Sequence, residues 1–302
     1  MIKVPPYLQK GDTIGLVCPA GYMNRDKVQT CIVTLQEWGY NVKVGTTVGG
    51  SSVNYFSGTD EERLHDLQQM LDDDEVKAVL CARGGYGTGR IIDRIKFKKF
   101  RKHPKWIIGY SDITVLHAHL YAWYGIASLH APMAGAFNEG GATNEYVQSL
   151  KNALEGKKAR YQSAVHEYNR PGEAAGELVG GNLALLAHLT GTASDIKTKG
   201  RILFIEDVGE QLYNIDRMMH QLKRSGKLSK LAGLIFGGFT DTKDTDRPFG
   251  QTGHEILRDI VSEYHYPVCF DFPVSHTDKN YALKVGVEYT LTVTTSKVTL
   301  EE

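Results

Sequence analysis

Through the first 140 residues, short aliphatic and β-branched runs alternate with longer stretches in which apolar side chains return every three or four positions. "TIGLVCPA" (13–20), "NVKVG" (41–45), "VKAVLCA" (76–82) and "KWIIGY" (105–110) have the length and composition of strands. The third run is apolar almost throughout, as suits a parallel strand covered on both faces. In "TDEERLHDLQQMLDD", Thr59 stands three residues ahead of Glu62, and Leu64, Leu67 and Leu71 repeat at helical spacing. A hydroxyl and a carboxylate so spaced satisfy each other's orphan N–H groups, which predicts a helix beginning there. Strand and helix in repeated alternation predict a parallel α/β sheet.

From about 137 to 176 the periodicity fades into "NEGGATNEY", "KKARYQ" and "NRPGEAAGE". The pattern therefore divides into an N-terminal α/β domain over 1–140, a linker region over 141–176 and a C-terminal domain over 177–302. The last part restarts with "GELVGGNLALLAHLTGT", then "RILFIED" (201–207), the helical "YNIDRMMHQLKRSG", "LAGLIFGGF" (231–239) and the helical "GHEILRDIVSEY". It ends in "VEYTLTV" and "KVTLEE", whose alternation predicts antiparallel strands. The second domain is thus expected to be mixed and richer in β structure.

Composition narrows the partners. The 302 residues carry 35 basic and 35 acidic side chains with no strongly basic stretch, which argues against nucleic acid and for a small molecule or peptide. Cys18, Cys31, Cys81 and Cys269 stand apart in apolar surroundings without a CxxC pair, the usage of reduced thiols in a cytoplasmic protein. No window approaches the run of about 18 apolar residues that spans a bilayer, and the N-terminus lacks a secretory h-region. A soluble, unexported protein without a membrane partner is expected.

In a parallel sheet, chemistry gathers beyond the carboxyl ends of the strands, and three such loops stand out. "ARGGYGTGR" (82–90) matches neither dinucleotide nor P-loop spacing, so no nucleotide cofactor is inferred; its free N–H groups could instead face an oxyanion. "GYSDIT" leaves room at Gly109 for a sharp turn that would lift the Ser111 hydroxyl above the sheet, although Ile113 occupies the place of the second glycine of GxSxG. Serine is equally a common helix N-cap, and the stretch alone leaves both readings open. "ILFIEDVGE" drives a strand into Glu206 and Asp207, which could orient a base or simply cap a helix. Among eleven histidines, His276 lies just past an apolar run in a polar turn, whereas His117 and His119 read as surface or packing residues. "HEILR" (254–258) begins like a zinc helix but has arginine where the second ligand belongs, so no metal site is inferred.

These fragments, in their order, resemble the LD-carboxypeptidases of serine peptidase family S66, which include muramoyltetrapeptide carboxypeptidases and microcin C self-immunity peptidases. The likeness runs through "GDTIGLVCPAG", "ARGGYGTGRII", "IIGYSDIT", "HAPM", "GELVGGNLALLAHLTGT", "LFIEDVGEQLYNIDRMMHQL", "GLIFGGF" and "FPVSHTDKNYALKVG". It implies an N-terminal flavodoxin-like domain, a smaller β-rich C-terminal domain, and an active site between them. Ser111 would be the nucleophile, His276 the base and Glu206 its orienting acid, with the backbone N–H groups of Gly85 and Asp112 as the oxyanion hole. The implied reaction removes the terminal D-alanine from peptidoglycan tetrapeptides during cytoplasmic cell-wall recycling, in a homodimer and without metal or other cofactor. Arg83 or Arg90 could pair with the substrate carboxylate or serve the fold, and Asn182 could line the cleft or cap a helix. Lys284 stands where the family often has proline, a departure that bears on the local loop. The rival within the family cleaves an aminoacyl-nucleotide; outside it, a non-enzymatic binding protein on the same scaffold is the alternative.

Overall fold

A computed structural model describes residues 2–50, 52 and 54–302 and divides them into two compact units, Met1–Lys157 with Tyr281–Lys284, and Lys158–Asn280 with Val285–Glu302. The strands, in chain order, are β1 (Thr13–Val17), β2 (Asn41–Val44), β3 (Val76–Cys81), β4 (Trp106–Gly109), β5 (Ser128–His130), β6 (Arg160–Ser163), β7 (Gly172–Asn182), β8 (Ile202–Val208), β9 (Gly233–Thr240), β10 (Val268–Cys269), β11 (Leu283–Val285), β12 (Glu288–Val293) and β13 (Val298–Glu301).

In the first unit the sheet order is β11-β5-β4-β3-β1-β2, and the five early strands pair in parallel. The sequence 2-1-3-4-5 is the flavodoxin-like order, and it puts β1, β3 and β4 side by side with their following loops at one edge. Trp106, Ile107 and Ile108 of β4 are fully buried, as a central strand covered on both faces requires. The helix Asp60–Asp72 begins at the capping box expected from its sequence: Thr59 Oγ1 accepts from Glu62 N–H, and Glu62 Oε2 accepts from Thr59 N–H at 2.7 Å.

The second unit holds a seven-stranded sheet, β10-β9-β8-β7-β12-β13-β6. β7 to β10 pair in parallel, and β7 then turns the sheet antiparallel through β12, β13 and β6. Phe204, Phe236, Phe270 and Phe272 are buried, and the Phe236 and Phe270 rings meet at 4.9 Å between centroids. The two antiparallel strands at the C-terminus lie where the alternation of "VEYTLTV" and "KVTLEE" put them.

Two boundaries differ from the sequence reading. Residues 141–176 are not a bare linker: they contain the helix Glu145–Leu154, all of β6 and the first half of β7. Asn144 caps that helix by accepting from Tyr146 and Val147 N–H, so a polar, turn-like opening is in fact a helix start. The division falls at Lys157/Lys158, and Tyr281–Lys284 returns to the first unit, where β11 forms an edge of the sheet. Lys284, the departure from the family pattern, is buried there, with its Nζ 3.2 Å from Lys157 O and 4.9 Å from the Tyr7 ring centroid.

Candidate active site

The chain leaves β4 through a turn that few sequences tolerate. Gly109 has φ +152°, and a side chain there would press into Ile113 at 2.9 Å. Ser111 follows with φ +63°, one of three non-glycine residues with positive φ among those described. The left-handed region disfavours a Cβ, and such strain concentrates at functional sites. The two readings of Ser111 separate here. Tyr110, not Ser111, is the N-cap of the short helical turn Ser111–Ile113, and the cap makes no side-chain hydrogen bond. The half-buried Ser111 hydroxyl has no hydrogen-bond partner among the described residues of its own unit.

The glycine loop after β3 lies directly against this turn. A methyl placed on Gly84 would stand 3.0 Å from Ser111 Cβ, 3.2 Å from Ser111 Oγ and 3.3 Å from Asp112 N, so the absence of a side chain at Gly84 lets the loop lie close against the turn. Gly84 was not singled out from the sequence; its signal was the doubled glycine, of which only the second was chosen. Gly84 O accepts from Gly21 N–H at 2.9 Å, which turns the N–H of the same peptide, that of Gly85, the other way. The N–H groups of Gly85 and Asp112 have no hydrogen-bond partner among the described residues. Tyr55 leans over the loop, its hydroxyl 2.9 Å from where a Gly85 side chain would begin.

The loop is gripped from behind. Arg63, wholly buried on the helix Asp60–Asp72, donates from Nη1 to Gly87 O at 3.0 Å and to Pro19 O at 2.5 Å, and is ion-paired with Asp60. Asp112 is 1% exposed, and its Oδ2 accepts from Thr88 N–H at 2.8 Å. Burial raises the Asp112 pKa, while the backbone donors and Arg63 pull against that rise. Beneath the turn, His117 is fully buried: its Nε2–H donates to Gly109 O at 2.8 Å, since a carbonyl only accepts, and its Nδ1 accepts from the Ser128 hydroxyl at 2.8 Å. Burial pushes its pKa down to about 4. Of the two readings of His117 and His119, surface or packing, packing is the one the structure bears out. The whole segment Thr114–His119 is buried, so spacing two apart did not send either ring to solvent.

In the second unit, Glu206 lies in β8 where the register with β9 shifts between Ile205 and Asp207, an irregularity that re-aims a side chain. Glu206 is 0% exposed, and its Oε2 accepts from His276 Nδ1–H at 2.6 Å. Segment 270–276 runs beside β9, with Phe272 N–H donating to Phe236 O and Gly238 N–H to Val274 O, and this delivers His276 to Glu206. Burial alone would lower the His276 pKa, but the hydrogen bond and charge of Glu206, with Asp207 behind it, raise it above the ordinary value. With its proton held on Nδ1, the neutral imidazole keeps a basic lone pair on Nε2. Asp207 has another task. Its carboxylate accepts from Asn182 Nδ2 at 2.8 Å and from Ala184 N–H at 3.0 Å, and burial pushes its pKa up to about 6.

The remaining candidates sort by their partners. Asn182 is a helix cap, 3% exposed, its Oδ1 accepting from Leu185 N–H. Arg90 clamps Asp60 from Nε at 2.9 and 3.0 Å, a structural pairing. Arg83, exposed beside the loop, forms no ion pair among the described residues. On the other unit, His166, His254 and Asp271 cluster away from Glu206 in sequence, with His254 Nε2–H donating to Asp271 at 2.8 Å. The two imidazoles are stacked, their planes 15° apart, and His166 Nδ1 accepts from Tyr168 N–H.

Comparison with known proteins agrees across both units. Residues 14–131 match the LD-carboxypeptidase N-terminal domain and 175–291 the LD-carboxypeptidase C-terminal domain. A "probable murein peptide carboxypeptidase" of Bacillus subtilis (strain 168) is 40% identical over 288 residues, covering 94% of this chain and 90% of its own. The crystal structure of a muramoyltetrapeptide carboxypeptidase from Oxalobacter formigenes superposes with a TM-score of 0.85 at 30% identity, over 96% of this chain and 98% of that one. The microcin C7 self-immunity protein MccF of Escherichia coli is 24% identical over 98% of this chain and 94% of its own. Among the described residues, no helix is long and apolar enough to cross a membrane.

Proposed function

Because the chain belongs to the LD-carboxypeptidase family, we propose that it is a serine carboxypeptidase that removes the terminal D-alanine from peptidoglycan tetrapeptides through Ser111, His276 and Glu206. The observation that carries this is the backbone of Ser111: a helix start needs no left-handed serine, whereas a nucleophile presented on a strand-to-helix turn does. The short hydrogen bond from His276 to the buried Glu206 supports the assignment of base and orienting acid. The printed names of the B. subtilis and O. formigenes relatives support a murein peptide substrate.

In this reaction Ser111 Oγ attacks the scissile carbonyl carbon as its proton passes to His276 Nε2, and Glu206 stabilises the resulting imidazolium. The N–H groups of Gly85 and Asp112 receive the oxyanion. His276 returns the proton to the departing amine as the C–N bond breaks, leaving an acyl-enzyme on Ser111. Water, deprotonated by His276, attacks the ester and releases the shortened peptide. Arg83 pairs with the free carboxylate of the terminal residue. The setting is cell-wall recycling in the cytoplasm, which four buried thiols without a disulfide support. The active form is a homodimer.

The test incubates the protein with a muropeptide tetrapeptide and, separately, with an aminoacyl-adenylate analogue, following products by mass spectrometry. Release of D-alanine by the wild type and its loss in Ser111→Ala are expected. Processing of the nucleotide compound alone overturns the substrate, and full activity in the alanine variant overturns the nucleophile.

A further inference from the structure

The peptide joining Gly87 to Thr88 is held at both of its polar atoms by buried charged side chains. Arg63 Nη1 donates to its carbonyl at 3.0 Å, and Asp112 Oδ2 accepts from its N–H at 2.8 Å. Both side chains are essentially inaccessible, at 0% and 1% exposure. Neither group contacts a reacting atom, since Asp112 points its carboxylate at the glycine loop while its own N–H stays unengaged. A buried carboxylate with a single charged neighbour is costly to keep, and a cap or a packed apolar residue would serve stability as well. Its position is what distinguishes it. Asp112 bears on its backbone an N–H beside Ser111 that has no partner among the described residues, and its side chain anchors the loop that bears another, that of Gly85. One residue therefore ties the two donors together.

We propose that Asp112 is a positioning residue that sets the spacing of the oxyanion hole, its carboxylate and the Arg63 guanidinium gripping the Gly87–Thr88 peptide so that Gly85 N–H and Asp112 N–H face the same point. The proposal rests on the reading of Ser111 as nucleophile. An oxyanion donor displaced by a fraction of an ångström loses most of its preference for the transition state while substrate still binds, because the ground-state carbonyl asks less of it. The signature is thus a loss in kcat rather than a rise in KM.

The experiment compares wild type, Asp112→Asn and Asp112→Ala on a tetrapeptide ending in D-alanine, together with a peptide boronic acid that forms a tetrahedral adduct on serine. Asparagine keeps the volume and one acceptor; alanine removes the anchor. Loss of one oxyanion donor costs about 100- to 1000-fold in kcat, which bounds the alanine variant. About 10-fold is expected for the asparagine variant, with KM within about threefold of wild type. Boronate affinity should fall with kcat while affinity for the product peptide holds. If the alanine variant does not fold, the asparagine variant and its boronate-to-product ratio decide alone. A folded Asp112→Asn enzyme with wild-type kcat and boronate affinity overturns the proposal, as does equal weakening of boronate and product. Ser111→Ala, run alongside, separates the two failures: activity surviving there removes the nucleophile reading and the proposal with it, whereas an inert Ser111→Ala beside a fully active Asp112→Asn removes the positioning role only.

Discussion

His117 offers a measurement of how the turn that carries Ser111 is supported. Its ring is wholly buried, with both nitrogens engaged by Gly109 O and Ser128 Oγ at 2.8 Å, and it is held neutral by burial with a pKa pushed down to about 4. In the unfolded chain the same ring titrates near 6.5. Because the folded pKa is the lower one, the unfolded state takes up the proton first, so the contribution is intact above pH 6.5 and is lost as pH falls toward 4. Between pH 7 and pH 5 this amounts to about 2 kcal/mol. The replacement His117→Gln cannot titrate and keeps an amide donor for Gly109 O. Urea denaturation of both proteins at pH 7 and pH 5 should show the variant losing about 2 kcal/mol less than wild type over that interval. At pH 7 the variant is itself destabilised by about 1–3 kcal/mol, since a glutamine cannot satisfy both buried partners in the ring's geometry. Imidazole NMR gives a direct check: the His117 ring should stay neutral at pH 5. A ring titrating near 6.5, or parallel losses of stability in the two proteins, refutes the argument.

Other expectations follow from the same geometry. Glu206 raises the His276 pKa, so the acid limb of kcat/KM in wild type should lie above pH 6.5; Glu206→Gln should move it lower while reducing kcat, and an unmoved limb would mean that another group is the base. Arg83→Ala should raise KM for a peptide with a free terminal carboxylate about 10- to 100-fold with kcat unchanged, and should matter little for the corresponding amide. Arg90→Ala, whose partner is the partly exposed Asp60, should leave KM alone and barely move the midpoint of a denaturant titration. Asn182→Ala removes a helix cap and one partner of Asp207, for an expected loss of about 1–2 kcal/mol with KM unchanged; a large KM effect would return Asn182 to the binding surface.

What the sequence by itself determined is local. The alternation of aliphatic runs with helical spacing located the early strands, Thr59 and Glu62 marked a helix start, and the terminal alternation marked an antiparallel pair, because each depends on neighbours a few residues apart. The candidate serine, acid and base were picked out as polar residues at the ends of apolar runs, and their roles came from the resemblance to the family rather than from the local pattern. Only the tertiary structure decided which partner each group meets. Glu206 and His276 are 70 residues apart, Arg63 reaches a carbonyl 24 residues on, and Asp112 reaches back the same distance. Nothing in the local pattern distinguishes Arg90, clamped on Asp60, from Arg83, which is exposed and without an ion pair among the described residues, or a histidine buried beneath a turn from one on a surface. The return of Tyr281–Lys284 to the first unit was equally unreadable, since a three-residue edge strand carries too little periodicity to announce its sheet. Periodicity fixes the backbone because helices and strands are built from short-range bonds; the chemistry depends on closures across long loops, whose partners are selected by packing of the whole core.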